Sequence, residues 1–227
     1  MARITVLRTR CLQFRLTGMN HNVRTHGLVI DWAARYDLLA WIFTGGRERQ
    51  FRERMIDLAH LQPGEAVLDI GCGTGTLALL AAERVGGMGS VQAIDASPSM
   101  IVRARRKAAT RPVQPRFEVA VVEKLPFPDR HFDVVLSTLM LHHLPRPTRQ
   151  QCFGEVLRVL KPSGRLLAVD FGRPQHRGLL SHLHRHGHVA FEDVAKMLEA
   201  AGMVVIASGP VGMRDLQFVR ADKPVNA

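Results

Sequence analysis

The sequence predicts an α/β fold: an open, doubly wound and mostly parallel sheet with helices on both faces. Short apolar runs alternate with stretches of helical length along most of the 227 residues, and strands buried on both faces of a sheet are typically apolar throughout. The first of these runs, Ala66 to Ile70, leads directly into a glycine-rich loop. Open α/β sheets bind their ligands beyond the carboxyl ends of such strands.

Turn and capping residues set the bounds of the other elements. Ser97 followed by Pro98 predicts the start of a helix. Gly209-Pro210 and Gly212 separate the last two strands, which predicts an antiparallel hairpin. The predicted strands are 66–70, 90–95, 115–122, 131–140, 165–171, 203–207 and 216–221, and the predicted helices are 75–85, 97–109, 148–160 and 191–201, with a turn at 161–164 and helical material between 27 and 61.

The composition is that of a globular protein without a membrane span. Hydrophobic residues make up 46% of the chain and charged residues 22%, and no stretch approaches the roughly 18 to 20 apolar residues that cross a bilayer. The three cysteines, at positions 11, 72 and 152, are widely spaced. This spacing argues against a disulfide framework or a zinc knuckle and favours a reducing cytoplasm.

The charge balance is strongly basic. A formal net charge of +11 is compatible with a nucleic-acid partner or an anionic membrane. The alternative is that arginines are scattered along the chain, with the nearest approach to clusters in 47–54 and 103–107. We favour the scattered arrangement.

The chain is expected to divide into a basic extension (1–27), a helical cap (28–61) and a cofactor-binding domain (62–227) that forms one globular unit with the cap. The extension has five arginines and no acidic residue, and Met19 lies within it. It is either an arginine-rich targeting segment or the product of an upstream start codon, and in both cases we expect it to be poorly ordered.

The loop LDIGCGTGT, residues 68–76, carries the main functional signal. Gly71, Gly73 and Gly75 allow a tight turn into a helix whose free N–H groups attract a carboxylate or phosphate. Asp95 ends the second strand, where a carboxylate can accept hydrogen bonds from ribose hydroxyls. These features fit both an NAD-dependent dehydrogenase and a methyltransferase that uses S-adenosyl-L-methionine (SAM).

Two residues separate these ligands. The dinucleotide fingerprint requires a third glycine where this chain has Thr76. Asp69 would repel a pyrophosphate, whereas it would attract the ammonium group of SAM. The loop therefore favours SAM.

The ordered set of motifs resembles the class I SAM-dependent methyltransferases. LDIGCGTG and Asp95 are followed by VVEKLPFPDRHFDVVLS (121–137) and LKPSGRLLAVDFGRP (160–174). The resemblance covers about 31–221 and is narrower to methyltransferase type 11 proteins and the ubiquinone/menaquinone biosynthesis branch. It implies a Rossmann-like, seven-stranded sheet with an antiparallel last strand, SAM as cofactor and S-adenosyl-L-homocysteine as product.

The resemblance also implies roles for individual positions. Asp69 and the loop would hold the methionine part of SAM, Asp95 would hold the ribose, and Tyr36 in the cap would close over the cofactor. The family usually has an acidic residue at position 121, where this chain has valine, so Glu123 or backbone groups at 121–123 would meet the adenine. The other implied cofactor contacts are Gly71, Cys72, Gly73, Thr74, Gly75, Ala96, Met100, Val122, Ser137 and Thr138.

The loop after strand four, LMLHHLPRP (139–147), is expected to face the methyl acceptor. His142 or His143 could deprotonate a phenol, amine or thiol there, or one of them could simply pack against the next helix. The loop lacks the Asn/Asp-Pro-Pro-Tyr and Pro-Cys signatures of nucleic-acid methylation. We therefore predict no sequence-specific nucleic-acid partner.

The sequence predicts a small-molecule or lipid-like acceptor, with quinone C-methylation and phospholipid N-methylation as alternatives. The segment 36–52 resembles the cap of the quinone branch, but Ala40 and residues 139–143 depart from that branch on the substrate side. The basic front helix would suit a peripheral contact with an anionic membrane, and a homodimer is also compatible with the sequence. A SAM-binding protein without turnover and an NAD-dependent dehydrogenase are the competing classes.

The segment His176 to His188 contains five histidines, some at helical i, i+4 spacing. Such spacing can bind a metal ion, but no acid or cysteine completes a site. We expect an exposed lid and no metal.

Overall fold

The computed structural model describes residues 25, 27–29, 37, 42, 44–172, 189–213 and 215–226. Tyr36 and the histidine-rich segment 176–188 lie outside these residues, so the predictions made for them stay predictions. The described helices are α1 (Glu48–Leu58), α2 (Thr76–Val85), α3 (Pro98–Ala108), α4 (Arg146–Val159) and α5 (Phe191–Ala200), and the strands are β1 (Ala66–Ile70), β2 (Ser90–Asp95), β3 (Arg116–Val119), β4 (Phe132–Thr138), β5 (Leu160–Phe171), β6 (Val204–Pro210) and β7 (Leu216–Asp222), with a 3₁₀ turn at Leu141–His143.

The seven strands form one sheet in the order β3-β2-β1-β4-β5-β7-β6. The pairs from β3 to β5 are parallel, while β7 is antiparallel to both β5 and β6. This arrangement confirms the predicted doubly wound sheet with an antiparallel last strand. The strand order reverses between β1 and β4, and the carboxyl ends of these two strands mark the topological switch point.

Each face of the sheet is covered by helices and has its own apolar core. Successive residues of a strand point to opposite faces, so Leu68 and Ile70 belong to the core under α4 and α5, while Val67 belongs to the core with α1, α2 and α3. By the same alternation Asp69 points toward the face that α1 covers. The sheet geometry thus directs an acidic side chain toward that helix.

Residues 161–164 were predicted to form a turn before the fifth strand, whereas in the structure they lie within β5. Phe132 pairs with Leu160 and Val134 pairs with Arg165, so the chain bulges between the two pairs. Lys223, beyond β7, accepts a hydrogen bond from the backbone N–H of Ser163 and also donates its own backbone N–H to Gly164. These bonds hold the bulge against the sheet, although the local sequence predicts a turn outside the strand.

Two predicted strands are too long at the carboxyl end. β3 ends at Val119 and β4 ends at Thr138. Leu139 has a φ of 55°, which an extended strand cannot accommodate. The residues beyond each strand turn into the cleft described below. No helix in the described ranges is long and apolar enough to cross a bilayer.

Candidate active site

An open cleft lies at the switch point. Its walls come from the loops that follow β1, β2, β3 and β4, as expected for this kind of sheet. Eight residues predicted for the site line this cleft: Gly71, Gly73, Asp95, Ala96, Met100, Val122, Glu123 and His143.

The glycine loop needs its glycines for two different reasons. Gly71 has a φ of 69°, and a Cβ there would lie 2.3 Å from Cγ of Met140. Gly75 has a φ of 80°, and a Cβ there would lie 2.8 Å from the ring of Phe117. Cys72 contributes its backbone, since its N–H donates to the carbonyl of Ile94 at 2.9 Å, and burial raises the pKa of its thiol.

Gly71 combines a left-handed backbone with close packing against Met140, and the effect of both on stability can be measured. Gly71→Ala is expected to destabilise the protein by about 3 kcal/mol, because a left-handed φ and a collision with Met140 add together. Gly64→Ala is the matched control, since Gly64 has a φ of 85° but open space around its Cβ position, and it should cost about 1–2 kcal/mol. Urea unfolding of both variants checks this. Equal losses would mean that Met140 moves aside without cost.

Asp95 is held by the loop that it faces. Its Oδ2 accepts the N–H of Gly73 at 2.9 Å, and its Oδ1 accepts the N–H of Ser97 at 2.8 Å. Burial raises the pKa of Asp95, while these two hydrogen bonds oppose that rise. Each carboxylate oxygen keeps a further lone pair, so the oriented group can still accept hydroxyl donors from a ligand.

Asp69 is the least satisfied polar side chain of the site. It is 1% exposed, and neither of its carboxylate oxygens has a hydrogen-bond partner among the described residues. Burial raises the pKa of Asp69 to about 7 and Asp95 raises it further, whereas Arg52 and the nearby backbone N–H of Ala78 act to lower it. A buried carboxylate is costly when ionised, so a positively charged ligand group would stabilise the ionised form.

Arg52 of α1 brings a buried positive charge to the same place. It is 7% exposed, its Nη1 donates to Oγ1 of Thr138 at 3.3 Å, and its Nη2 lies 3.7 Å from Glu48. Nε of Arg52 and Oγ of Ser137 have no hydrogen-bond partner within the described part of the chain. The carboxyl ends of β1 and β4 therefore carry the buried carboxylate of Asp69 and the hydroxyl of Ser137, and the guanidinium of Arg52 reaches the same place from α1. All three side chains have unused hydrogen-bonding capacity among the described residues.

Arg52 was not among the residues predicted for the site. The available signal was its position on an amphipathic helix. Arg52 lies on the buried face of α1 with Phe51, Met55 and Ile56. An arginine at an otherwise apolar position is costly to bury unless it is paired.

Thr74 connects the glycine loop to the cap. Its hydroxyl donates to Asp37 at 2.6 Å, and Asp37 also accepts from Arg103 at 2.5 Å and Lys107 at 2.8 Å. Burial alone would raise the pKa of Asp37, but the hydrogen bonds from Lys107, Thr74 and Arg103 lower it below its usual value. Arg105 donates to the carbonyl of Phe117. Most of the basic cluster at 103–107 is thus engaged within the molecule.

His142 and His143 occupy different environments. The Nδ1 atom of His142 lies 2.6 Å from Oδ1 of Asp170, a fully buried residue, and the His142 backbone N–H donates to Oδ2 at 3.0 Å. His143 lines the cleft, and its ring centroid lies 3.8 Å from that of His142. Burial and the neighbouring His142 lower the pKa of His143 to about 4, against a smaller raising effect of Asp170.

Asp170 was not predicted as a site residue. It is the acid near the end of β5, in the stretch RLLAVDF. Since β5 pairs with β4 in parallel, the ends of both strands meet at one edge of the sheet, and this pairing was the signal that could have linked Asp170 to the histidines.

Residue 25 and residues 27–29 line the cleft. Oγ1 of Thr25 donates to Oε1 of Glu123 at 2.8 Å, and the backbone N–H of Leu28 donates to the carbonyl of His143 at 3.0 Å. Thr25 and Gly27 lie in the stretch expected to form the basic extension, yet both line the cleft. The contact with Glu123 places Thr25 beside residues 121–123, which were predicted to meet the adenine.

The chain resembles known proteins in both sequence and fold. Residues 67–164 match the family described as a methyltransferase domain. The ubiquinone/menaquinone biosynthesis C-methyltransferase of Azotobacter vinelandii is 38% identical over 168 residues, which cover 73% of this chain and 65% of that enzyme. The chain thus spans about two thirds of the length of this relative.

Two solved structures illustrate the fold. A SAM-dependent methyltransferase from Methanosarcina mazei has a TM-score of 0.65 and 25% identity, covering 75% of this chain and 97% of that one. The [4+2]-cyclase SpnF has a TM-score of 0.65 and 20% identity, covering 78% of this chain and 82% of that one. The latter likeness concerns the fold alone.

The sheet order, the glycine loop and the acid after β2 define a class I methyltransferase fold. Together with the matched domain and the curated relative, these features make the chain similar to the class I SAM-dependent methyltransferases, whose cofactor is SAM.

Proposed function

We propose that this protein transfers a methyl group from SAM to a small-molecule or lipid-like acceptor bound in the cleft. The observation that carries the proposal is the unpaired, fully buried carboxylate of Asp69 beside the buried guanidinium of Arg52. An acid and a base of this kind match the ammonium and carboxylate groups of an amino acid. The pairing favours the methionine part of SAM over a pyrophosphate, which Asp69 would repel.

The other residues of the cleft fit the remaining parts of SAM. The carboxylate of Asp95 is free to accept the ribose hydroxyls. Ala96, Met100 and the backbone of 121–123 would bound the adenine, because they lie in the same cleft beyond Asp95. Ser137 and Thr138, at the end of β4, would lie beside the sulfur, and the unused Oγ of Ser137 fits a polar neighbour there.

Bound SAM supplies an electrophilic methyl group on a positively charged sulfur. The protein's contribution to such a displacement is chiefly to position the acceptor and exclude water. The acceptor side of the cleft is lined by apolar side chains, namely Leu28, Val29, Leu139, Met140 and Leu144. This wall supports an acceptor with a largely apolar body.

A quinol-type acceptor is the more specific candidate. It is supported by the name of the Azotobacter vinelandii relative and by the apolar wall of the cleft. Leu28 and Val29 are 60% and 40% exposed, so an apolar acceptor could enter past them. A peripheral contact with an anionic membrane and a homodimer remain predictions of the sequence.

Calorimetric titration of the protein with SAM, S-adenosyl-L-homocysteine and NAD tests the cofactor. We expect the first two to bind in the micromolar range that is common for enzyme ligands, and we expect no binding of NAD. Binding of NAD without binding of SAM or S-adenosyl-L-homocysteine would contradict the proposal. Formation of S-adenosyl-L-homocysteine in the presence of quinols, phospholipids or small hydroxylated acceptors then tests turnover, and SAM binding without turnover on any of them would favour a non-catalytic protein.

A further inference from the structure

The carboxylate of Asp170 takes part in three hydrogen bonds, two of them with His142. Oδ1 of Asp170 lies 2.6 Å from Nδ1 of His142 and accepts the backbone N–H of Phe171 at 2.7 Å, while Oδ2 accepts the backbone N–H of His142 at 3.0 Å. An ionised carboxylate can only accept hydrogen bonds, so Nδ1 of His142 carries the hydrogen. Its Nε2 atom is then a lone-pair acceptor in a ring of fixed orientation.

We propose that His142 is the base that removes a proton from a hydroxyl group of the acceptor, and that Asp170 is its positioning residue. The inference rests on the methyl transfer proposed above and narrows the acceptor to apolar compounds with an ionisable hydroxyl group. The His142 side chain is 13% exposed. Its ring also contacts that of His143, which lines the cleft.

Asp170 distinguishes His142 from its neighbour as the base. A buried carboxylate orients an imidazole and stabilises the imidazolium that forms when the ring takes up a proton. The His143 ring forms no ion pair in the described part of the chain, and a pKa of about 4 makes it a poor proton acceptor near neutral pH. His143 therefore contributes a neutral wall.

The proposed reaction transfers a proton from the acceptor to His142 and a methyl group from SAM to the acceptor. The O–H bond of the acceptor breaks as its proton moves to Nε2 of His142, and the acceptor oxygen bonds to the methyl carbon while the C–S bonding pair returns to sulfur. In an aromatic acceptor the negative charge also reaches the ring carbon beside the oxygen. If that carbon takes the methyl group, it then loses its own proton while the oxygen regains one, so that one proton is released per turnover in either case.

The ring state of His142 can be tested without a cofactor or acceptor. In ¹⁵N-labelled, ligand-free protein at neutral pH, the two-bond ¹⁵N–¹H correlations of His142 should show a single tautomer with hydrogen on Nδ1. Asp170→Asn should abolish this single-tautomer pattern, while His143→Gln should retain it. Hydrogen on Nε2 of the wild-type ring, or a mixture of tautomers, would overturn the inference, because Nε2 could not then serve as the acceptor.

Kinetics with a series of ring-substituted hydroquinones tests the role as a base. His142→Gln and Asp170→Asn are expected to lower kcat by about 10²- to 10⁴-fold and to leave the affinity for SAM within about twofold of wild type. The loss should shrink as the acceptor hydroxyl becomes more acidic, since an acidic hydroxyl needs less help to ionise. His143→Gln should keep the wild-type dependence on acidity.

Three outcomes decide between the assignments. The same fold loss for every hydroquinone would indicate a structural role for His142 and would overturn the inference. SAM binding with no methylation of any hydroxylated acceptor would overturn it as well, while the cofactor assignment stands. Absence of SAM binding would instead refute the proposed function, and it would leave the tautomer measurement as the separate test of the His142–Asp170 pair.

Discussion

Asp69→Asn is expected to abolish detectable SAM binding and to make the ligand-free protein more stable at pH 8. The carboxylate of Asp69 is buried without a hydrogen-bond donor in the described structure, so its negative charge is costly until a ligand's ammonium group approaches. Asparagine has similar size and no charge. The variant therefore loses the attraction to SAM together with the cost of the buried charge.

The sign of the pH dependence follows from the pKa. Burial raises the pKa of Asp69 from 3.8 to about 7, so the folded protein binds the proton more tightly than the unfolded chain does. The contribution of Asp69 to the free energy of unfolding therefore falls as pH rises from about 4 to about 7, by about 1.4 kcal/mol per pH unit. Above this range the full cost, on the order of 4 kcal/mol, is present.

Urea unfolding of wild type and Asp69→Asn between pH 5 and pH 8 measures this difference. The advantage of the variant should grow with pH and level off above pH 7, and SAM should stabilise only the wild type. Asp57→Asn is the control, because Asp57 is exposed and pairs with Arg84 on the surface, where such pairs contribute less than about 1 kcal/mol. An Asp69→Asn variant that is less stable than wild type at pH 8 would show that the carboxylate has a donor after all.

Arg52→Met is expected to weaken SAM binding by about 100-fold or more, since it removes the buried positive charge proposed to meet the cofactor carboxylate. It should also act on Asp69. Because Arg52 lowers the pKa of Asp69, its removal shifts the pH-dependent loss of stability to higher pH. The variant thus links a binding defect to a displaced titration.

Calorimetry with SAM and the same unfolding series measure both effects. Arg52→Lys keeps the charge but loses the planar fork that binds a carboxylate through two parallel hydrogen bonds, so its affinity should fall between wild type and Arg52→Met. Arg54→Met on the exposed face of the same helix should leave both quantities near wild type. Unchanged SAM affinity in Arg52→Met would remove Arg52 from the cofactor site.

The parts of the site that lie close together along the chain could be predicted from the sequence. Asp69 and the three glycines belong to one strand–loop–helix unit whose conformation is local, and Asp95 follows the same logic one strand later. Of these residues, Gly71, Gly73 and Asp95 line the cleft. What each of them binds is a prediction still to be measured.

The remaining parts depend on contacts between distant elements. Arg52 reaches Thr138 across 86 positions of sequence, and Asp170 meets His142 only because β5 aligns beside β4. The bulge at 161–164 likewise depends on Lys223 near the end of the chain. Local propensity contains no information on such partners, so the sequence indicated the histidine loop (139–147) but not its contact with the buried Asp170.

The close packing of Met140 on Gly71 has a consequence for how the acceptor specificity of this protein can diverge. The side chain of Met140 lies between the loop that carries the histidines and the glycine loop. A larger residue at 140 would disturb both loops at once, whereas Leu144 packs against the segment around Gly27 instead. New acceptors are therefore more readily accommodated by change at 144 and in the segment 25–29 than at 140.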